Sequence, residues 1–240
     1  MENQKSLLNL SSVDILDSKL SVRIPTVREI LEDEFTYYSI ISSLTASPFQ
    51  YMVQLDDMGI DFTTISDYEL FKMLFLIYTK SDLSILFGDL DMSDFSMYIG
   101  KSNDTFIYSP NKNIEINEKV YNDLVDTIRK INLLEKVKYK PGNESARKYL
   151  LEKERKKQKR NAKKKQEPYL ERLVIALVNT SEFPYDYDSC MDLSIYRFNQ
   201  SFKQIQHKIA FDNTMVGVYA GTVDTSKLGN KDILSWIPNK

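Results

Sequence analysis

Residues 147–165, RKYLLEKERKKQKRNAKKK, set the tightest limit on what this chain can fold into. They hold eleven Lys or Arg against two Glu, a local charge of +9 in a chain whose net charge is −2, so everything else carries −11. Good helix formers fill the stretch, yet past Leu151 no apolar residue recurs at helical spacing. A helix of this kind has nothing to bury, and it divides the chain into three: a mixed domain over 1–140, a basic connecting helix over 141–167, and a helical region with a tail over 168–240.

The first segment reads as α+β. Leu20, Val22 and Ile24 alternate with polar residues and predict a strand that Pro25 ends. Thr26 then opens T-V-R-E, a spacing in which the hydroxyl bonds the Glu29 amide and the carboxylate reaches back, and a helix follows over 27–45. Ser47-Pro48 predicts a second helix ending at Gly59, and S-D-Y-E at Ser66–Glu69 starts an apolar one to Tyr78. Beyond Ser81 the runs ILF, SMYIG, TFIYS and NIEI, broken by Gly and Asn-Asp pairs, predict a small antiparallel meander. Val120, Leu124, Ile128 and Ile131 then mark a helix over 118–134, with Lys140-Pro141-Gly142 as the stop.

In the third segment YLERLVIALVN predicts a buried helix after Pro168. A longer one follows, with apolar residues at Met191, Ile195, Phe198, Phe202, Ile205 and Ile209. Their steps of four and three give a seam of period near 3.5, the spacing of a coiled coil, and Val216 and Tyr219 extend it. Such a seam either packs against the 169–178 helix of the same chain or takes a partner. The tail carries Ile233, Leu234, Trp236 and Ile237 to dock or to protrude.

Catalytic chemistry has little to build on. Cys190 is the single cysteine, so an internal disulfide or a Cys-based zinc site cannot be assembled, and any triad must be built around His207, the single histidine, which has no Ser-His-Asp context to recommend it. The aspartates of LDDMGID and GDLDMSD lack the central glycine and distal glutamate of a calcium loop, and turn and cap chemistry accounts for them. No glycine-rich phosphate loop is present. LFKMLFLIY falls far short of a membrane span, and the N-terminal stretch lacks the basic start and apolar core of a secretory signal, so a cytoplasmic protein is expected. An enzyme is not expected, nor a cofactor.

Four stretches, VRIPTVREIL (22–31), MVQLDDMGIDF (52–62), ILFGDLDMSDF (85–95) and MVGVYAGTVDTSKL (215–228), resemble proteins encoded beside the tape-measure gene of long-tailed bacteriophages and prophages, the tail assembly chaperones. The resemblance implies a non-enzymatic helper in the host cytoplasm that binds tape-measure protein and tail-tube protein during tail morphogenesis and leaves before the virion is complete. The resemblance assigns no residues; the apolar spacing itself offers Ile195, Phe198, Phe202, Ile205 and Ile209 to hold a partner's apolar helix, and the basic helix offers Lys156, Lys157, Lys163, Lys164 and Lys165 as a second contact surface. Two other functions fit the residues: a permanent tail or connector component, and a nucleic-acid-binding adaptor acting through the basic helix over 147–165.

Overall fold

A computed structural model describes residues 6–100, 104–137, 139, 141–162 and 167–237. Strands β1 (Ser12–Asp14) and β2 (Ser21–Arg23) form an antiparallel hairpin with Val13 opposite Val22. Asp17, at φ 57°, turns the chain between them. Leu20, Val22 and Ile24 all point into the core, as their alternation predicts.

The Thr26 capping box is present: the Glu29 amide donates to Oγ1 at 3.2 Å, and the Thr26 amide donates to Glu29 Oε2 at 2.8 Å. It starts α1 (Val27–Glu32). The helix expected over 27–45 is, however, two helices. Asp33 leaves helical geometry at φ −152°, ψ 76°, and its carboxylate accepts from the Thr36 amide at 3.0 Å to begin α2 (Glu34–Leu44). An aspartate in the middle of a helical pattern competes for backbone amides, and here that competition wins.

Residues 47–52 form successive i→i+3 turns before α3 (Met52–Asp57), so the second helix starts later than Ser47-Pro48 suggested. Helix α4 (Asp67–Tyr78) begins at its predicted box, with the Ser66 amide donating to Glu69 Oε2 at 2.6 Å. The ILF run corrects a second expectation. It forms a single helical turn, α5 (Ser84–Phe87), because Asp82 Oδ1 accepts from the Ser84 amide and Gly88 ends the turn at φ 60°. The rest of the meander is as expected, with β3 (Ser96–Ile99), β4 (Thr105–Ser109) and β5 (Ile114–Ile116) in the order β3-β4-β5. Ile107 and Ile116 face each other in that sheet and are wholly buried.

Helix α6 (Glu118–Asn132) is capped by Asn117 and ends at Leu133 in the left-handed region, ahead of the stop expected at 140–142; Lys140 lies outside the described residues. Then come α7 (Glu144–Asn161), α8 (Leu170–Val178), the short α9 (Tyr187–Met191) and α10 (Ile195–Tyr219). Ten helices and two small antiparallel sheets among the described residues make the fold α+β.

One apolar core gathers residues from both ends of the chain. Val22, Ile30, Tyr37, Phe71, Phe75, Leu124 and Ile128 pack in the same cluster as Leu170, Val174, Cys190, Ile195 and Phe198. Backbone bonds stitch the two ends together: the Val27 amide donates to Leu193 O at 2.9 Å, and the Ile195 amide donates to Pro25 O at 2.8 Å. The start of α8 is tied in by a single buried side chain. Glu34, turned inward by the break at Asp33, accepts from the Tyr169 and Leu170 amides at 2.6 and 2.8 Å. A smaller second cluster unites Met52, Val53, Leu55, Phe62 and Leu70 with Leu151 of α7.

Candidate partner-binding surfaces

The residues with catalytic chemistry are dispersed and occupied. The Cys190 thiol is fully buried and desolvation pushes its pKa up to about 11, far from a reactive thiolate at neutral pH. His207 Nε2 sits 2.6 Å from the Ser235 carbonyl. Asp56 and Asp57 grip Arg155 at 2.8 and 2.6 Å, and Asp61 binds Arg147 at 2.7 Å. Hydrogen bonds from the Thr63 amide and hydroxyl, with Arg147 adding to them, hold the Asp61 carboxyl below the ordinary carboxylate range. Asp91 caps a short 3-10 turn through the Ser93 amide. Among the described residues no group of three or more His, Cys, Asp or Glu could hold a metal ion.

Two elements present surfaces instead. The seam of α10 begins inside the protein. Ile195 and Phe198 are completely buried, Phe183 meets Phe198 edge to face at 6.4 Å, and Phe202 is half-buried against the same core. Ile195 and Phe198 are therefore core residues and offer no surface to a partner, contrary to their expected role. Helix α10 packs against the C-terminal tail, α6 and the N-terminal turn more than against the 169–178 helix suggested by the sequence.

At about 100° per residue, Ile205, Ile209, Asp212, Val216 and Tyr219 continue along one face of α10 for roughly 20 Å. Exposure climbs steadily along it: 8% at Ile205, 43% at Ile209, 69% at Val216 and 82% at Tyr219. The helix outruns its own core. Lys208 bridges to Asp212 at 2.7 Å and satisfies the one charge on that face.

The tail folds back beside this free end. Amides of Thr222 and Val223 donate to Gly217 O at 2.9 and 3.1 Å, closing the helix, and Val223 packs where a Cβ on Gly217 would stand. A side chain at 217 would lie 2.6 Å from Val223 Cγ2, so glycine is what permits the tight return. Further on, Gln204 Nε2 donates to Trp236 O at 2.8 Å, and His207 meets Ser235 O. Trp236 and Ile237 remain exposed. Past Ile205 none of the described residues is buried, although the stretch holds Phe211, Met215, Val218, Leu228, Ile233 and Leu234.

The second surface is α7. It is no free connector: Leu151 sits in the second core cluster, while Arg147 and Arg155 clamp the aspartates of α3 and the loop after it. The sequence pattern hid this because the docking face past Leu151 uses guanidinium groups and half-buried Glu154 and Gln158 in place of apolar side chains. Lys156 is exposed on the far side. Lys157 pairs at 3.5 Å with Glu154, and Lys163, Lys164 and Lys165 lie outside the described residues.

Residues 161–239 match the model of the YomV second domain family. The match covers α8, α9, α10 and the returning tail, the part of the chain that carries the exposed seam. No curated protein and no solved structure matches the chain. None of the described helices is long and apolar enough to cross a membrane.

The sequence did not single out Glu34 or Gly217. A glycine between Val216 and Val218, at a position where helix propensity disfavours it, was the available signal for the second. Glu34 gave none, since its partners lie more than a hundred residues away.

Proposed function

We propose that this chain is a non-enzymatic phage protein that acts in tail assembly by holding an apolar helix of another polypeptide on the free end of α10 and its tail. The observation that carries the reading is the seam that leaves the core: Ile209, Val216 and Tyr219 prolong the face that is buried at Ile195 and Phe198, and they stand exposed among the described residues. An amphipathic helix laid along that face buries the stripe and continues the packing already begun by α6. Tape-measure protein, largely long amphipathic helices, is the partner that fits such a groove, with tail-tube protein as the second client. The phage setting is supported by the resemblance of the four sequence stretches and by the match to a phage-associated family.

The test is co-expression with the products of the neighbouring phage genes, followed by affinity capture. The wild-type chain should retain tape-measure protein, and Val216→Asp/Tyr219→Asp should lose it while keeping its melting temperature, since both side chains are outside the core. Undiminished capture by that variant refutes the seam as the binding face. Recovery of the chain in stoichiometric amounts from purified particles would make it a permanent tail component instead of a chaperone.

A further inference from the structure

Helix α7 has two faces of opposite character. Arg147, Leu150, Leu151, Glu154, Arg155 and Gln158 fall on one side of the wheel, and each is at least half-buried. On the other side stand Tyr149, Lys153, Lys156, Lys159 and Arg160, all exposed, with Glu152 the one carboxylate among them. The inward arginines are neutralised by aspartates of the body. None of Lys153, Lys156, Lys159 and Arg160 has an ion pair among the described residues. The result is four such cations within an arc of about 120° and a length of about 10 Å, held on a helix docked along most of its length.

We propose that this outward face of α7 binds the phosphate backbone of nucleic acid. A solvated connector needs no such arrangement, because α7 spans no gap: it lies on α3 and still keeps its cations that lack an ion pair on one side. An acidic protein is the poorer fit. Protein interfaces are organised around a desolvated apolar or aromatic core and are depleted in lysine, whereas the stretch from Lys153 to Arg160 has no apolar side chain. Phosphate contacts are made by Lys and Arg without such a core, and they need no base reading. Tyr149, beside the stripe and 65% exposed, adds a ring on which an unpaired base can stack. The acidic remainder of the chain lies behind the helix, and beyond a Debye length of about 8 Å its repulsion is screened. This inference is independent of the seam on α10.

Fluorescence anisotropy with the full-length protein and fluorescein-labelled mixed-sequence DNA, duplex and single-stranded, tests it between about 50 and about 200 mM salt. Binding should weaken steeply with salt. In Lys153→Gln/Lys156→Gln/Lys159→Gln/Arg160→Gln the slope of log K against log salt on duplex should be shallower by about 3.6, at about 0.9 for each phosphate that is no longer neutralised. The double variant Lys153→Gln/Lys156→Gln should fall about halfway. Both keep Arg147, Leu151 and Arg155, so circular dichroism and melting should match wild type. No binding to either DNA at the lowest salt, or an unchanged slope in the quadruple variant, overturns the proposal. Equal capture of poly-glutamate would reassign the face to an acidic protein and overturn it as well.

Discussion

Glu34→Ala isolates the tie between the two ends of the chain. Helix α8 has no cap from its own sequence: Tyr169 at its start offers no acceptor, and the preceding residue is Pro168. The Glu34 carboxylate replaces that cap from α2, accepting from the Tyr169 and Leu170 amides through Oε1, while Oε2 is buried without a partner. Removing it leaves two amides at a buried helix start unpaired. Loss of a cap costs about 0.5–2 kcal/mol, and bonds to a charged acceptor sit at the upper end of such ranges. Removing the unpaired Oε2 returns part of the desolvation cost of a buried oxygen. The net is about 2 kcal/mol, or a fall of about 4–8 °C in melting temperature for a chain of this size. Glu34→Gln keeps an acceptor but loses its charge against the positive end of α8, and should fall between the two at about 1 kcal/mol. Glu34 is also the first residue of α2, so amide hydrogen exchange separates the effects: Tyr169, Leu170 and their neighbours should exchange faster while α2 amides change little. A Glu34→Ala melt within 1 °C of wild type (about a quarter of the smallest expected shift), or a Gln variant more stable than wild type, would refute the reasoning. The latter would mean that desolvation of the unpaired oxygen outweighs the cap.

Phe198→Asp buries a charge with no partner at a fully enclosed site, which should cost at least about 4 kcal/mol and abolish the cooperative melt, whereas Val216→Asp alone should shift stability by less than about 0.5 kcal/mol; equal effects from the two would deny that the seam changes from core to surface. Glu29 supplies a pH dependence. Burial pushes its pKa up, but hydrogen bonds from the Thr26 amide, Arg23 and the Thr26 hydroxyl outweigh that and leave it below the ordinary glutamate value. A folded pKa below the unfolded one gives stability that is present above the unfolded pKa of about 4.3 and is lost as pH falls through the folded value. Glu29→Gln should therefore melt lower than wild type at neutral pH and converge with it as the pH falls through the folded Glu29 value; a constant gap in urea melts from neutral pH into the acid range contradicts the assignment.

Local signals carried most of the fold. Both capping boxes, the alternation at Leu20, Val22 and Ile24, and the apolar spacing of α6 and of α10 from Ile195 on are short-range facts, and the structure realises each of them, although Met191, expected to open the long helix, ends α9 instead. The failures share a cause. ILF is apolar enough for a strand, but three residues have no period, and an Asx turn at Asp82 decided for a helical turn. A break at Asp33 was invisible because Val27 to Leu44 keeps a helical pattern through it, and what the break makes possible, the reach of Glu34 to α8, lies 135 residues downstream.

The two surfaces show the same limit from opposite directions. On α10 a continuous apolar seam reads as one object, a partner site, yet half of it is interior. What divides it is the place where the core ends, past Ile205, and that depends on tertiary packing. On α7 a continuous run of charge reads as one solvated face, yet it too divides, because Asp56, Asp57 and Asp61 claim the arginines on one side only. A helical wheel ruled on the basic run could have separated 147, 151 and 155 from 149, 153, 156 and 160. It could not have said which side faced the body. That assignment needed the aspartates of α3, and with it the outward cations become a surface of definite extent, one whose contribution a salt titration can count.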